Sequence, residues 1–281
     1  MGVVNASPES FSDAGRYRTL DRQIELAKQS IEEGADILDI GGQSAITNEP
    51  ELDPPVEVDR VVPIIESIHS RFPEIPISID TYKPLVAQAA IAAGASIVND
   101  VSGLLNPELA AICAHADAAL IIMHTRARPK VRLQDPALFS DVVQDVVRFL
   151  QQKMTVAQAY GLPVESIILD PGPDFGKTPH QTIAVLRHLD QVYALNRPVL
   201  LALSRKDFLG AILKKPPKAR GAATLAAIAH FAVRSGNIVR VHDVAATVDV
   251  LRTIAVLTGR SDVPADYLLP SRLRHEPGRP G

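Results

Sequence analysis

The chain of 281 residues carries 29 Lys and Arg against 32 Asp and Glu, a formal net charge of −3, with 46% hydrophobic and 22% charged residues. That balance excludes a disordered chain, a fibrous repeat and a polytopic membrane protein, and it offers no global attraction for nucleic acid or an anionic membrane surface. A single cysteine, Cys113, excludes an internal disulfide and a cysteine-rich zinc site, so the cytoplasm is the expected compartment; aromatic residues at 4%, without Trp, weaken any base-stacking role.

Short runs rich in Ile, Val and Leu follow one another along the chain: Gly2 to Val4, Ile37 to Ile40, Ile77 to Ile79, Ile97 to Val101, Leu120 to Met123, Ile167 to Leu169, Val199 to Leu203 and Ile238 to Val241. They are near-continuous rather than alternating, the pattern of strands buried on both faces of a parallel sheet. Between them lie helical stripes, thin at Ile24, Ala27 and Ile31 and full at Val58, Val61, Val62, Ile65 and Ile68. A βα unit repeated in this way predicts a single-domain α/β fold, a (β/α)8 TIM barrel over residues 1–258. A doubly wound open sheet fits the same alternation, but no G-x-G-x-x-G follows the first run. The first run starts at Met1, which leaves nothing before it to plug the barrel floor and raises the expectation of a truncated chain or an internal start. Residues 259–281 read as a C-terminal extension, expected to be disordered from about 270, where Pro, Gly and Arg dominate.

Active sites of this fold are built at the carboxyl ends of the strands. The runs end, in order, with Asn5, Asp39, Asp80, Asn99 followed by Asp100, His124, Asp170, the triplet Ser204-Arg205-Lys206, and Arg240 followed by His242-Asp243. Any one of these could be a helix N-cap, whereas the whole series points to one mouth in which carboxylates face a lysine and an arginine. Asp80, Asn99 and Asp170 supply acceptors and a carboxamide for a flat heterocycle with several N–H donors, and Lys206 a cation for a ring carbonyl or nitrogen. Arg240 and His242 read as a separate basic pair suited to phosphate oxygens, with a salt bridge from Arg240 to Asp243 or another barrel carboxylate as the plainer alternative. Asn5, a neutral oxygen donor, would help hold Mg²⁺ arriving with a phosphorylated substrate.

Other signals carry less. Gly176-Lys177-Thr178 resembles the end of a phosphate loop, but the motif requires glycine at 171 and the residue is Pro171. Ser204 lacks a G-x-S-x-G elbow, the histidines are scattered, and Cys113 in a helical segment reads as a small buried hydrophobe.

The motifs Met-Gly-Val-Val-Asn-Ala-Ser-Pro-Glu-Ser-Phe-Ser-Asp at 1–13, Asp39-Ile-Gly-Gly42, Ser78-Ile-Asp-Thr81, Asn99-Asp-Val-Ser-Gly103, Met123-His124, Asp170-Pro-Gly, Phe175-Gly-Lys177, Ser204-Arg-Lys206 and Arg240-Val-His242 occur in this order. The series resembles the dihydropteroate synthases, transferases of the pterin-binding TIM-barrel group. The resemblance implies condensation of 6-hydroxymethyl-7,8-dihydropterin diphosphate with p-aminobenzoate to dihydropteroate and diphosphate, assisted by Mg²⁺, in a homodimer. It implies that Asp80, Asn99, Asp170 and Lys206 hold the pterin edge, with Val101, Met123 and Phe175 walling the ring. Asn5, Arg240 and His242 would take the diphosphate, Asn5 also its metal, and Lys206, Arg240 and Asp80 would be the catalytic groups. Phe11, Asp13 and Ser44 would belong to loops closing over the second substrate, with Ser204 near its carboxylate.

Two departures fall on the second-substrate half. Where the family has Glu-Ser-Thr-Arg-Pro-Gly, this chain has Gln43-Ser44-Ala45-Ile46-Thr47-Asn48. Asp174 stands where a small residue is usual, an extra negative charge beside the place expected for the aminobenzoate ring. A paralogue that binds pterin with another acceptor or none, and a pterin-dependent methyltransferase domain, therefore stand as alternatives.

Overall fold

Each of the eight apolar runs forms a strand in the computed structural model, whose described residues are 1–6, 20–43 and 50–274. The strands are β1 (Gly2–Asn5), β2 (Leu38–Gly41), β3 (Ile77–Asp80), β4 (Ile97–Asp100), β5 (Ala119–Met123), β6 (Ile167–Asp170), β7 (Val199–Leu201) and β8 (Asn237–Val239). They pair in parallel in chain order, and a parallel bridge between Gly2 and Val241 returns the sheet to its start. Across that seam Val3 N donates to Val241 O at 3.2 Å and Val241 N to Met1 O at 3.0 Å. A sheet closed on itself excludes the open doubly wound arrangement, which needs two free edges.

The connections carry α1 (Leu20–Glu32), α2 (Pro54–Arg71), α3 (Pro84–Ala92), α4 (Glu108–His115), α5 (Val142–Ala159), α6 (Pro179–Arg187), α7 (Asp190–Tyr193), α8 (Asp207–Leu213), α9 (Gly221–Ala232) and α10 (Val244–Leu257). Their starts are written in the sequence. Pro54 and Pro55 occupy the first positions of α2, where no N–H is needed, and Thr178 with Gln181 closes a capping box on α6. Asp141 accepts from Val143 N and Gln144 N at the head of α5. Asp243, one of the polar strand ends, does the same for α10 through Ala246 N at 3.1 Å, so it is a cap and no partner of Arg240. On α2 the inward stripe is Val61, Ile64, Ile65 and Ile68, fully buried, while Val58 and Val62 flank it.

Two apolar shells result from the two faces of the strands. Val4, Leu38, Ile40, Ile79, Val98, Leu120, Ile122, Leu169 and Leu201 pack outward against the helices. Met1, Ile97, Ile121, Ile168 and Leu200 form a separate inner cluster, joined by Ile37, Ala119 and Ile238. Because inward side chains recur every second residue, the next inward positions above Ile37, Ile97, Ile121, Ile168 and Ile238 are Asp39, Asn99, Met123, Asp170 and Arg240. A polar deck thus sits directly on an apolar plug.

Beyond α10 the described chain continues to Arg274 with a 3₁₀ turn at Ser271–Leu273, and residues 275–281 lie outside the described set. Among the described residues no helix is long and apolar enough to cross a membrane, and Cys113 is buried and unpaired.

Candidate active site

Asp39 is the centre of the deck. Fully buried, it accepts from Ser78 Oγ at 2.6 Å, from Asn99 Nδ2 at 3.3 Å and from Arg240 Nε at 2.6 Å. Arg240 reaches on through Nη2 to Asp80 Oδ2 at 2.8 Å. The plainer alternative for Arg240 is therefore present: it bridges two barrel carboxylates, while the neighbouring His242 places Nδ1 3.0 Å from Ser204 Oγ and feels the Arg240 charge. Sequence reasoning gives Asp39 a strand-end position but no role in the site. The signal that marks it is a carboxylate inside an otherwise apolar strand, Leu38-Asp39-Ile40, and Ser78 between Ile77 and Ile79 is its neighbour of the same kind.

Asp80, Val101, Phe175 and Lys206 line a cavity of about 330 Å³, roofed by the connection after β5 from Arg128 to Leu133. Lys206 Nζ stands 4.1 Å from the centroid of the Phe175 ring, a cation–π contact in the wall of that cavity. Asn99, Met123 and Asp170 lie deeper, each under 4% exposed. Asn99 Oδ1 is buried without a hydrogen-bond partner, and Asp170 Oδ1 accepts from Gly172 N at 2.7 Å. Gly172 has φ +63, and a Cβ there would collide with His124 O, so the turn after β6 demands glycine.

Asn5 is half-buried at the end of β1. A Cβ on Gly41 would sit 4.0 Å from Asn5 Oδ1 and 3.9 Å from Asp80 Oδ2, so the missing side chain lets both oxygens face one space. Among the described residues no three His, Cys, Asp or Glu side chains gather as a metal cage. With Asp39 and Asp80 committed to Arg240, the residues fit a Mg²⁺ held mainly by substrate oxygens, to which Asn5 would add one ligand, and they do not fit a protein-only site. Phe11, Asp13 and Ser44 lie outside the described residues.

Two strand-end groups face away from the mouth. His124, one residue past inward Met123, points to the helix layer: its Nε2 lies 3.0 Å from Asp145 Oδ2, and its ring meets the Phe149 edge at 4.9 Å. Arg126 closes the same carboxylate with bonds of 2.9 and 2.6 Å. Asp100, one past Asn99, accepts from Ser102 N and Leu104 N in the turn after β4. Sequence reasoning also missed Lys177. Fully buried, it donates to the carbonyls of Gly172, Phe175 and His124 at 2.9, 3.2 and 3.3 Å, tying two connections beneath the mouth. Its burial, against the pull of Asp170 and Asp174, brings its pKa down to about 7.

Burial sets the charge states of the mouth. Desolvation pushes Asp80 up to about 7, opposed chiefly by Arg240, and Asp170 up to about 6, opposed by the Gly172 N–H and Lys206. Lys206 is lowered by desolvation. His242 is exposed at the rim, yet desolvation against the mouth, followed by the charges of Arg240, Arg205 and Lys206, pulls its imidazole below the ordinary value. These neighbours bias the rim histidine toward its uncharged form.

The family model described as pterin binding enzyme matches residues 1–242. A dihydropteroate synthase of Synechocystis is 39% identical over 259 residues, covering 92% of this chain and 89% of that protein. The chain belongs to the dihydropteroate synthase family. The Bacillus subtilis dihydropteroate synthase is 39% identical over 245 residues, covering 87% of this chain and 83% of its own length. Among solved structures, the Yersinia pestis dihydropteroate synthase in a sulfonamide drug complex superposes with a TM-score of 0.87 at 32% identity, covering 92% of this chain and 94% of that one. A Xanthomonas albilineans dihydropteroate synthase with 4-aminobenzoic acid gives a TM-score of 0.83 at 37% identity, covering 94% and 93%. With dihydropteroate synthases as its relatives in sequence and in structure, the methyltransferase alternative is set aside.

Proposed function

We propose that this mouth condenses 6-hydroxymethyl-7,8-dihydropterin diphosphate with p-aminobenzoate, giving dihydropteroate and diphosphate. One observation carries the reading: a buried acceptor floor for a heterocycle and a cationic rim for an anion share a single mouth, joined by Arg240. The floor offers the unpartnered Asn99 Oδ1 and the carboxylates of Asp170 and Asp80 to the N–H groups of the pterin edge, and Lys206 stands over the ring beside Phe175.

The bond that breaks is the one between the pterin methylene and the diphosphate oxygen, whose electron pair leaves with the diphosphate. Arg240 uses Nε and part of Nη2 on Asp39 and Asp80, which leaves the rest of its fork for diphosphate oxygens. His242, held by Ser204 at Nδ1, would offer its other ring nitrogen to the leaving oxygens as an N–H donor. Mg²⁺, with Asn5 as a ligand, would supply further neutralisation of the leaving group. The electron-rich pterin stabilises the methylene cation; the aminobenzoate nitrogen then forms the new C–N bond and releases a proton to solvent. That step needs placement more than a strong base.

The acceptor is supported by the Xanthomonas albilineans enzymes with 4-aminobenzoic acid and with 7,8-dihydropteroate. A homodimer and a cytoplasmic setting complete the reading, the first supported by exposed Val233 and Leu257 beside α9 and α10, the second by an unpaired cysteine. The test is diphosphate release with Mg²⁺, with and without p-aminobenzoate. Release that requires p-aminobenzoate and yields dihydropteroate is expected; pterin binding without acceptor-dependent release would make the chain a paralogue with another acceptor.

A further inference from the structure

Asp174 holds a left-handed backbone, φ +65, in the connection after β6. That conformation suits glycine, so an aspartate there needs compensating contacts. Its backbone amide and both carboxylate oxygens make them. Asp174 N donates to Thr182 Oγ1 at 3.0 Å, and the Thr182 hydroxyl donates back to Asp174 Oδ1 at 3.0 Å, locking the residue onto α6. Its second oxygen, Oδ2, accepts from Asp207 N at 2.5 Å and from Phe208 N at 3.3 Å, the first two residues of α8. Both carboxylate oxygens are therefore engaged, and Asp174 lines the cavity as the expected extra acidic group, its pull felt at Lys206 and Lys177.

The placement matters because of its neighbours. Phe175 follows Asp174 directly, and Lys206 directly precedes Asp207. One carboxylate thus sits a single residue from the ring and a single residue from the cation that meet at 4.1 Å in the cavity wall. Arg220 holds the other side of the same turn, donating through Nη1 to Arg205 O at 2.9 Å and to Lys206 O at 3.0 Å. Arg205 is itself left-handed, φ +60, so this turn is fixed from two directions.

We propose that Asp174 is a positioning residue that fastens the β6–α6 connection to the start of α8 and so sets the gap between Phe175 and Lys206; the ligand consequence rests on those two residues contacting the pterin. Glycine would adopt this φ more readily but could make none of these side-chain bonds, so what aspartate adds here is the tether itself.

The experiment compares Asp174→Gly and Asp174→Asn in the full chain by amide hydrogen exchange, calorimetry with 6-hydroxymethylpterin and steady-state kinetics. In Asp174→Gly the Asp207 and Phe208 amides should exchange faster while the melting temperature holds or rises. Pterin affinity should fall about tenfold, ~1.4 kcal/mol, with KM for the pterin diphosphate rising more than kcat falls. Asn tolerates the left-handed region and keeps one acceptor oxygen, so Asp174→Asn should recover most of both losses. Unchanged exchange at those amides, unchanged pterin affinity in Asp174→Gly, or Asp174→Asn no better than Asp174→Gly would each overturn the proposal. If the wild type binds no pterin, the ligand reading of the cavity fails, and the exchange data still decide the tether.

Discussion

Ser204 Oγ and His242 Nδ1 lie 3.0 Å apart, joining the ends of β7 and β8 at the rim of the mouth. The contact fixes the imidazole while desolvation and the charges of Arg240, Arg205 and Lys206 hold it neutral. Diphosphate with Mg²⁺ should therefore raise the His242 pKa, because an anion favours the charged ring. An NMR pH titration of the ring with and without diphosphate checks this. A pKa near the ordinary 6.5 that ignores the anion would remove His242 from the anion site.

Arg240 has two duties that mutation can separate. Arg240→Met leaves Asp39 buried without its cation and should cost about 3 kcal/mol of stability along with diphosphate affinity. Arg240→Met with Asp39→Asn removes the stranded charge, so chemical denaturation should show most of the stability restored while diphosphate affinity stays lost. Recovery of both would mean that the guanidinium contributes only to the fold.

Asp170 gives the pterin site a pH dependence. Its pKa in the free protein is about 6, above the ordinary carboxylate value, while pterin N–H donors require the ionised form. Below that pH binding must first remove a proton, and Asp80, pushed up to about 7, adds to the same dependence, so affinity should fall steadily as pH drops from 8 to 5. Calorimetry across that range, repeated on Asp170→Asn, checks it: the variant should bind weakly with a flatter profile.

Lys177→Met tests the reading of the glycine-lysine-threonine segment. It leaves the carbonyls of Gly172, Phe175 and His124 without their donor and should cost about 2–3 kcal/mol, seen as a lower melting temperature. No nucleotide affinity should be gained or lost, since the side chain faces carbonyls in the interior.

The barrel was legible because eight Ile- and Val-rich runs can be buried on both faces only when helices cover one side and the strands close on the other. Asn99, Asp170 and Arg240 were legible as polar breaks two residues above apolar plug residues. What escaped was direction and partnership. Asp100 and His124 sit at the same strand ends but one step out of phase, so their side chains serve turns and helices. That Arg240 could pair with a barrel carboxylate was legible, but which ones was not, since Asp39 and Asp80 are 201 and 160 residues away along the chain. Arg220 carries no motif and becomes visible only when it is found on the carbonyls of Arg205 and Lys206.

The inner plug has a consequence for how this chain tolerates change in length. Ile238 of β8 and Arg240, one residue beyond its end, point to one side, and Val239 faces the other. Deleting one residue between plug and deck would swap the parity of everything that follows in that strand, sending the guanidinium into the helix layer and a valine over the substrate. Insertions in the outer connections carry no such parity. The catalytic strands are thus punctuated like a code read in twos, in which substitutions adjust the chemistry and frame errors erase it.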